Sequence, residues 1–180
     1  ALLLTISTQA ATAQDPRIGQ MRAYLKGAAA LGQLSGSVLV AERGKILLDT
    51  AYGFANRELG VRNTPDTRFR VASVTKQFTA MAIVMLAQSG RLTLTDPVSR
   101  YLDSIPESWS GVTLHHLLRH TAGISDYEGW FDGYDTQVYS DYMAQADAPG
   151  RIAREARRRP LDFEPGAQFS YSNSAYILLG

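Results

Sequence analysis

Ser73-Val74-Thr75-Lys76-Gln77-Phe78-Thr79-Ala80-Met81-Ala82-Ile83-Val84-Met85-Leu86 is the stretch on which the reading of this chain turns. From Phe78 onward almost every residue is apolar, and Gly90 supplies a stop. A helix that is apolar all round is expected to be buried on all sides. Ser73 opens that helix, and Lys76 follows three residues later on the same face. Free backbone N–H groups and the positive end of the helix dipole favour negative charge at such a start. A lysine in the first turn of a buried helix is desolvated, and a desolvated lysine can serve as a general base. A serine, an adjacent base and a polarised helix end are the parts that acyl transfer needs. Ser-x-x-Lys by itself is weak, since a chain of this size holds roughly one by chance. The buried context gives it weight.

Working outward, Asp15 caps a helix with Pro16 at its first position. Ile18, Met21, Leu25, Ala28 and Leu31 repeat at helical spacing. Ser37 to Glu42 and Lys45 to Thr50 read as two strands joined by a tight turn at Arg43-Gly44. After the long helix, Asp96-Pro97 starts a short helical turn. Thr113 caps another short helix, with Leu114, Leu117 and Leu118 inward and Gly123 closing it. The span 124–149 is aromatic and irregular, Ile152 to Arg159 is a basic helix, and Pro165-Gly166 is a turn. One helix, a hairpin and then mostly helices make an α+β pattern: an antiparallel sheet flanked by helices, with a helical region inserted after it.

A second group of chemical interest is Tyr171-Ser172-Asn173, between a turn and a new apolar run. A phenol can relay protons beside a cation, and an asparagine offers both donor and acceptor to a substrate amide. Taken alone, the group is an ordinary helix cap with a packed tyrosine.

Together the two groups resemble the first two motifs of the serine β-lactamases and penicillin-binding proteins. The Tyr-x-Asn form is similar to the class C branch; class A enzymes have Ser-Asp-Asn there. Leu117-Leu118-Arg119-His120-Thr121-Ala122-Gly123-Ile124 resembles a further stretch of that branch. So does the run Leu161-Asp162-Phe163-Glu164-Pro165-Gly166 into Phe169-Ser170-Tyr171-Ser172-Asn173. The similarity covers residues 17–180 and implies the β-lactamase/transpeptidase-like fold. It implies Ser73 as nucleophile, Lys76 and Tyr171 as the proton-handling pair, and Asn173 as a ligand for the substrate amide and for Lys76. The backbone N–H of Ser73 would be half of an oxyanion hole. The third motif of these proteins, Lys-Thr-Gly or His-x-Gly on a later strand, is absent: besides Lys76 the lysines are Lys26 and Lys45. The later strands of the sheet are therefore expected beyond Gly180, and the chain alone is expected to be inactive, because losing one oxyanion donor costs ~10²–10³ in rate.

Composition narrows the rest. The chain has 180 residues, 18 Lys plus Arg against 17 Asp plus Glu, and no cysteine. That charge balance gives no sign of a nucleic-acid partner. The lack of cysteine excludes disulfides, thiolate metal sites and a cysteine nucleophile. The opening Ala1-Leu2-Leu3-Leu4-Thr5-Ile6, with Ala11-Thr12-Ala13 after it, reads as the tail of a secretory signal peptide over residues 1–13. That leaves 14–180 as the front portion of a hydrolase domain, periplasmic or secreted. No stretch is long and apolar enough to cross a membrane. His116 and His120 have a spacing that can bind zinc, but no Glu follows His116, so a structural His120 beside the site is the reading and no metal or cofactor is expected. The arginines from Arg151 to Arg159 fit a solvated helix face. Tyr127, in the aromatic span, is a candidate for the wall of a substrate cleft. Two functions remain open. One is a serine hydrolase acting on β-lactams, D-Ala-D-Ala peptides or simple amides and esters. The other is a non-catalytic penicillin- or peptidoglycan-binding module on the same scaffold.

Overall fold

The computed structural model describes residues 15–130 and 136–180, with side chains from 140 onward in the second span. The Ala11-Thr12-Ala13 site therefore lies outside the described residues. The chain divides into two compact units, one up to Arg70 and one from Val71 onward.

The first unit begins with helix α1 (Pro16–Ala30). Asp15 accepts the Arg17 N–H and Pro16 opens the helix, as the sequence predicts. Strands β1 (Gly36–Glu42) and β2 (Lys45–Tyr52) form an antiparallel hairpin in which Val40 faces Leu48 and Glu42 faces Lys45. Arg43 and Gly44 both have positive φ, 50° and 78°. That is the conformation a two-residue hairpin turn demands. Helix α1 packs on β2, burying Ile18, and Leu48 is buried too. Two short strands, β3 (Phe54–Asn56) and β4 (Val61–Arg62), make a second small antiparallel pair.

The second unit is helical. A 3₁₀ turn, Ala72–Val74, runs into α2 (Thr75–Gln88), which ends at Gly90 with φ 72°. Here the structure corrects an expectation. Within α2 only Ile83 is buried, while Phe78 is 66% exposed and Met81 and Met85 are each 60% exposed. An all-round apolar helix needs neighbours on every side, and among the described residues of its unit the helix that α2 packs against most is α6 (Asn173–Leu179).

Helix α3 (Leu114–Leu118) starts at Thr113 with a reciprocal cap: the Thr113 hydroxyl accepts the His116 N–H, and His116 Nδ1 accepts the Thr113 N–H. It ends well before Gly123, because His120 already takes the left-handed conformation, φ 58°. The span 124–149 is less irregular than expected. It holds a 3₁₀ turn, Tyr127–Trp130, and α4 (Thr136–Ala144). Helix α5 (Ala148–Ala156) begins four residues earlier than the arginine pattern suggests, since Pro149 sits in its first turn, where proline is tolerated. The core of this unit gathers Val98, Trp109, Val112, Leu117, Ile152 and Ala175, all nearly inaccessible. Each large apolar side chain buried this way contributes about 1.5–3 kcal/mol. Helix α6 packs on α3 and α5, so its first turn stands on the best-buried ground in the unit.

Candidate active site

Three chain segments build the site. The first is the entry to α2. Ala72 has φ 45°, a conformation that costs a non-glycine residue of order 1–3 kcal/mol. This bend immediately precedes Ser73, which lies in the 3₁₀ turn, so Ser73 and Lys76 stand about one turn apart across the 3₁₀-to-α junction. Lys76 Nζ lies 3.4 Å from Ser73 Oγ.

The second segment is the approach to α6. Backbone bonds lay it alongside the His120–Gly123 stretch: Asp162 N–H donates to Gly123 O, Gly166 N–H to Thr121 O and Ser170 N–H to His120 O. Gly123 has φ 75°, and a Cβ there would fall 2.1 Å from Phe163 O, so only glycine fits. This seam ties the Leu117–Ile124 stretch to the run that leads into the tyrosine group. It delivers Tyr171 to Ser73, whose Oγ is 2.7 Å from the tyrosine hydroxyl. Ser172 then caps α6 by accepting the Ala175 N–H, and Asn173 Oδ1 accepts from Lys76 Nζ at 2.6 Å.

The third segment is the chain around the 3₁₀ turn Tyr127–Trp130. Asp126 Oδ2 accepts both the backbone N–H of Asn173 at 2.9 Å and its side-chain Nδ2–H at 3.0 Å. The Tyr127 N–H donates to the fully buried Ser174 hydroxyl.

Ser73, Lys76, Tyr171 and Asn173, separated by nearly a hundred residues, thus form one hydrogen-bonded cluster. Lys76 Nζ also sits 4.8 Å from the centre of the Tyr171 ring and 5.5 Å from that of Tyr176, so two aromatic faces support its charge. Burial, and then the nearby Tyr171, push the Tyr176 phenol above its ordinary range, so it stays protonated and donates to Leu118 O.

His120 stands behind the cluster. Its ring stacks on Tyr171 at 4.5 Å and 30°, and meets Tyr176 at 5.1 Å. Its Nδ1 accepts the Ser172 N–H at 3.1 Å. Burial first, and the charge of Lys76 second, hold its pKa below the usual 6.5. A ring nitrogen that accepts a hydrogen bond must keep its lone pair, so geometry also calls for the neutral ring. His116 is occupied in its helix cap, and among the described residues no three groups of metal-ligating type are gathered as a metal site would need.

Tyr127 is 8% exposed, and its ring meets Trp130 edge-on. The arginine run is only partly a solvated face. Arg159 stacks on Trp130 and Arg151 on Tyr142, while Arg154 pairs with Asp147 and Arg159 with Glu155. Trp130, Tyr142, Arg151, Arg154, Glu155 and Arg159 line an open cavity of about 440 Å³ that shares no residue with the Ser73 cluster. Sequence reasoning missed Asp126, Ser174 and Tyr176. The available signal was position: Asp126 closes the Leu117–Ile124 stretch two residues on, and Ser174 and Tyr176 continue the tyrosine group into α6. No helix of the described residues is long and apolar enough to cross a membrane.

Known proteins are similar to this chain over most of its length. Penicillin-binding protein 4* of Bacillus subtilis (strain 168) is 36% identical over 151 residues, covering 82% of this chain and 31% of that protein. The crystal structure of a penicillin-binding protein from Bacillus halodurans superposes with a TM-score of 0.73 at 35% identity, over 87% of this chain and 46% of that one. The D-amino acid amidase from Ochrobactrum anthropi SV3, complexed with L-phenylalanine, gives a TM-score of 0.72 at 25% identity, over 90% and 43%. The chain therefore spans about a third of the curated relative and under half of each solved chain. The architecture is the β-lactamase/transpeptidase-like fold, with a helix-rich part and small antiparallel sheets. The match to the family described as Beta-lactamase runs over residues 21–180 and takes in every member of the Ser73 cluster, so the chain belongs to the Beta-lactamase family.

Proposed function

We propose that this chain carries the nucleophile and proton-handling residues of a serine hydrolase that works through an acyl-enzyme. The observation that carries the reading is the Ser73 oxygen held between the Tyr171 hydroxyl at 2.7 Å and Lys76 Nζ at 3.4 Å, with Asn173 on the same lysine at 2.6 Å. Ser73 Oγ attacks a substrate carbonyl, forming a C–O bond as the carbonyl π electrons move onto its oxygen. The serine proton passes to the Tyr171–Lys76 pair, which must first have given one proton to solvent in order to accept it. The tetrahedral intermediate collapses, the leaving nitrogen or oxygen takes that proton back, and the acyl group remains on Ser73. Water then hydrolyses the ester, with the same pair handling its proton.

The substrate class is a β-lactam, a D-Ala-D-Ala-type peptide or a related amide or ester. Relatives named as penicillin-binding proteins and as a D-amino acid amidase support this range. The tyrosine at the second motif supports the class C branch. A periplasmic or secreted setting belongs to the proposal and rests on the sequence of residues 1–13. Because the chain spans a third of its curated relative, we assign turnover to the full-length gene product and expect residues 1–180 alone to be inactive.

The test is intact mass after treating the full-length product with a fluorescent penicillin and, separately, a fluorophosphonate. An adduct that disappears in Ser73→Ala supports the reading. No adduct with either probe, or one that survives Ser73→Ala, sinks it. A stable penicillin adduct without release favours a penicillin-binding module; rapid release of hydrolysed drug favours a lactamase.

A further inference from the structure

We infer that Asp126 is a positioning residue of the site: it fixes which end of the Asn173 amide faces Lys76. The inference rests on the acyl-transfer reading for its kinetic consequence and on the geometry alone for its structural one. An asparagine amide has an acceptor end and a donor end of nearly equal shape. Only the oxygen end can accept from the lysine. Turned the other way, Nδ2 would place its hydrogens against the ammonium, and Oδ1 would face a carboxylate.

Asp126 excludes that turned state. Its Oδ2 takes the Asn173 Nδ2–H at 3.0 Å and so assigns the nitrogen end to itself. The same oxygen takes the Asn173 backbone N–H at 2.9 Å, which holds the residue by both backbone and side chain. The other carboxylate oxygen, Oδ1, accepts the Glu128 N–H at 3.0 Å, and Asp126 O accepts the Gly129 N–H, so the carboxylate is itself anchored on its turn. Carboxylate, amide and ammonium then run in one line, 3.0 Å and 2.6 Å apart at the two junctions. With Oδ1 committed to Lys76 and one Nδ2 hydrogen to Asp126, the second Nδ2 hydrogen is left to meet a substrate carbonyl. Asp126 thus acts through Asn173 on the lysine and on the orientation of the bound acyl group. A misplacement of about 1 Å in such a constellation can cost roughly 10²-fold in rate.

The test uses the full-length product and two readouts. The first is the rate of Ser73 acylation in wild type, Asp126→Ala, Asn173→Ala and the double variant. We expect Asp126→Ala to slow acylation by roughly 10²-fold in the wild-type background and by less than about threefold on Asn173→Ala, since a residue that acts by orienting the Asn173 amide then has no amide left to orient. A loss of the same size in both backgrounds, or no loss in either, overturns the inference. Asp126→Asn, which keeps the shape but has one acceptor for three donors, covers the case in which Asp126→Ala fails to fold. The second readout is the crystal structure of the Asp126 variant. Asn173 Oδ1 is expected to leave Lys76; if it stays within hydrogen-bond distance, the inference falls whatever the rates. A wild-type protein that forms no Ser73 adduct would sink the acyl-transfer reading, and the variant structure would still decide the role of Asp126.

Discussion

The two helices that carry the site are built in opposite ways. Helix α2 has fourteen residues, no side-chain cap on its first N–H groups and one buried residue, Ile83. Helix α6 has seven, starts on the Ser172 cap, and sets Ser174 and Ala175 completely out of reach of water. Around its first turn converge the His120 ring, the Asp126 carboxylate and the Tyr127 N–H. Ser73 therefore sits in the 3₁₀ turn that enters a helix with one buried residue, and its partners sit on a well-buried hub. The difference teaches where precision comes from. The position of Lys76 owes more to a hydrogen bond across to Asn173 and to two aromatic faces than to burial of its own helix.

Breaking the hub should have the largest effect. Gly123→Ala drives a Cβ into the Phe163 carbonyl at a positive φ, so a loss of about 3 kcal/mol is expected. The urea midpoint reports it, and an unchanged midpoint would show that the seam between residues 120–123 and 161–170 is not as tight as described. Ser172→Ala removes the α6 cap and should cost about 1–2 kcal/mol, read by the same titration.

The hub also carries a pH signature. His120 binds its proton less readily in the folded chain than in the unfolded one, so the unfolded state is the first to take up protons as pH falls. The contribution of His120 to stability is complete above about 6.5 and declines as pH drops below it. His120→Asn keeps an acceptor and tolerates the left-handed conformation. The variant should lose that part of the decline in melting temperature between neutral and mildly acidic pH; identical profiles would assign the decline to other groups. The smallest effect belongs to α2. Phe78→Ser in this chain removes a ring that is 66% exposed and should change stability by less than about 0.5 kcal/mol. A loss as large as that of Ser172→Ala would overturn the contrast between the two helices.

Much of this was legible from residue order. The cap at Asp15, the Arg43-Gly44 turn, the Thr113 cap and the two reactive groups follow from local chemistry, because capping and turn geometry are decided within a few residues. The early end of α3 was not legible, since a histidine at positive φ depends on what its ring and backbone meet across the chain. Nor was α4, whose aromatic and polar residues resemble a loop until packing fixes them. The burial of Tyr127 and the stacking of Arg159 on Trp130 are likewise contacts between distant segments.

The sequence by itself determined which groups could react: a serine and a lysine at one helix start, and a tyrosine and an asparagine before another. Short spacing was enough to place Ser73 near Lys76, because three residues make about one turn whether it is 3₁₀ or α. Only the tertiary structure decided that Tyr171 reaches Ser73, that Asn173 turns its oxygen to Lys76, and that Asp126 holds it there. Those contacts span 47 to 98 residues. They depend on the seam beside His120 and on the buried ground beneath α6, and no local pattern encodes either.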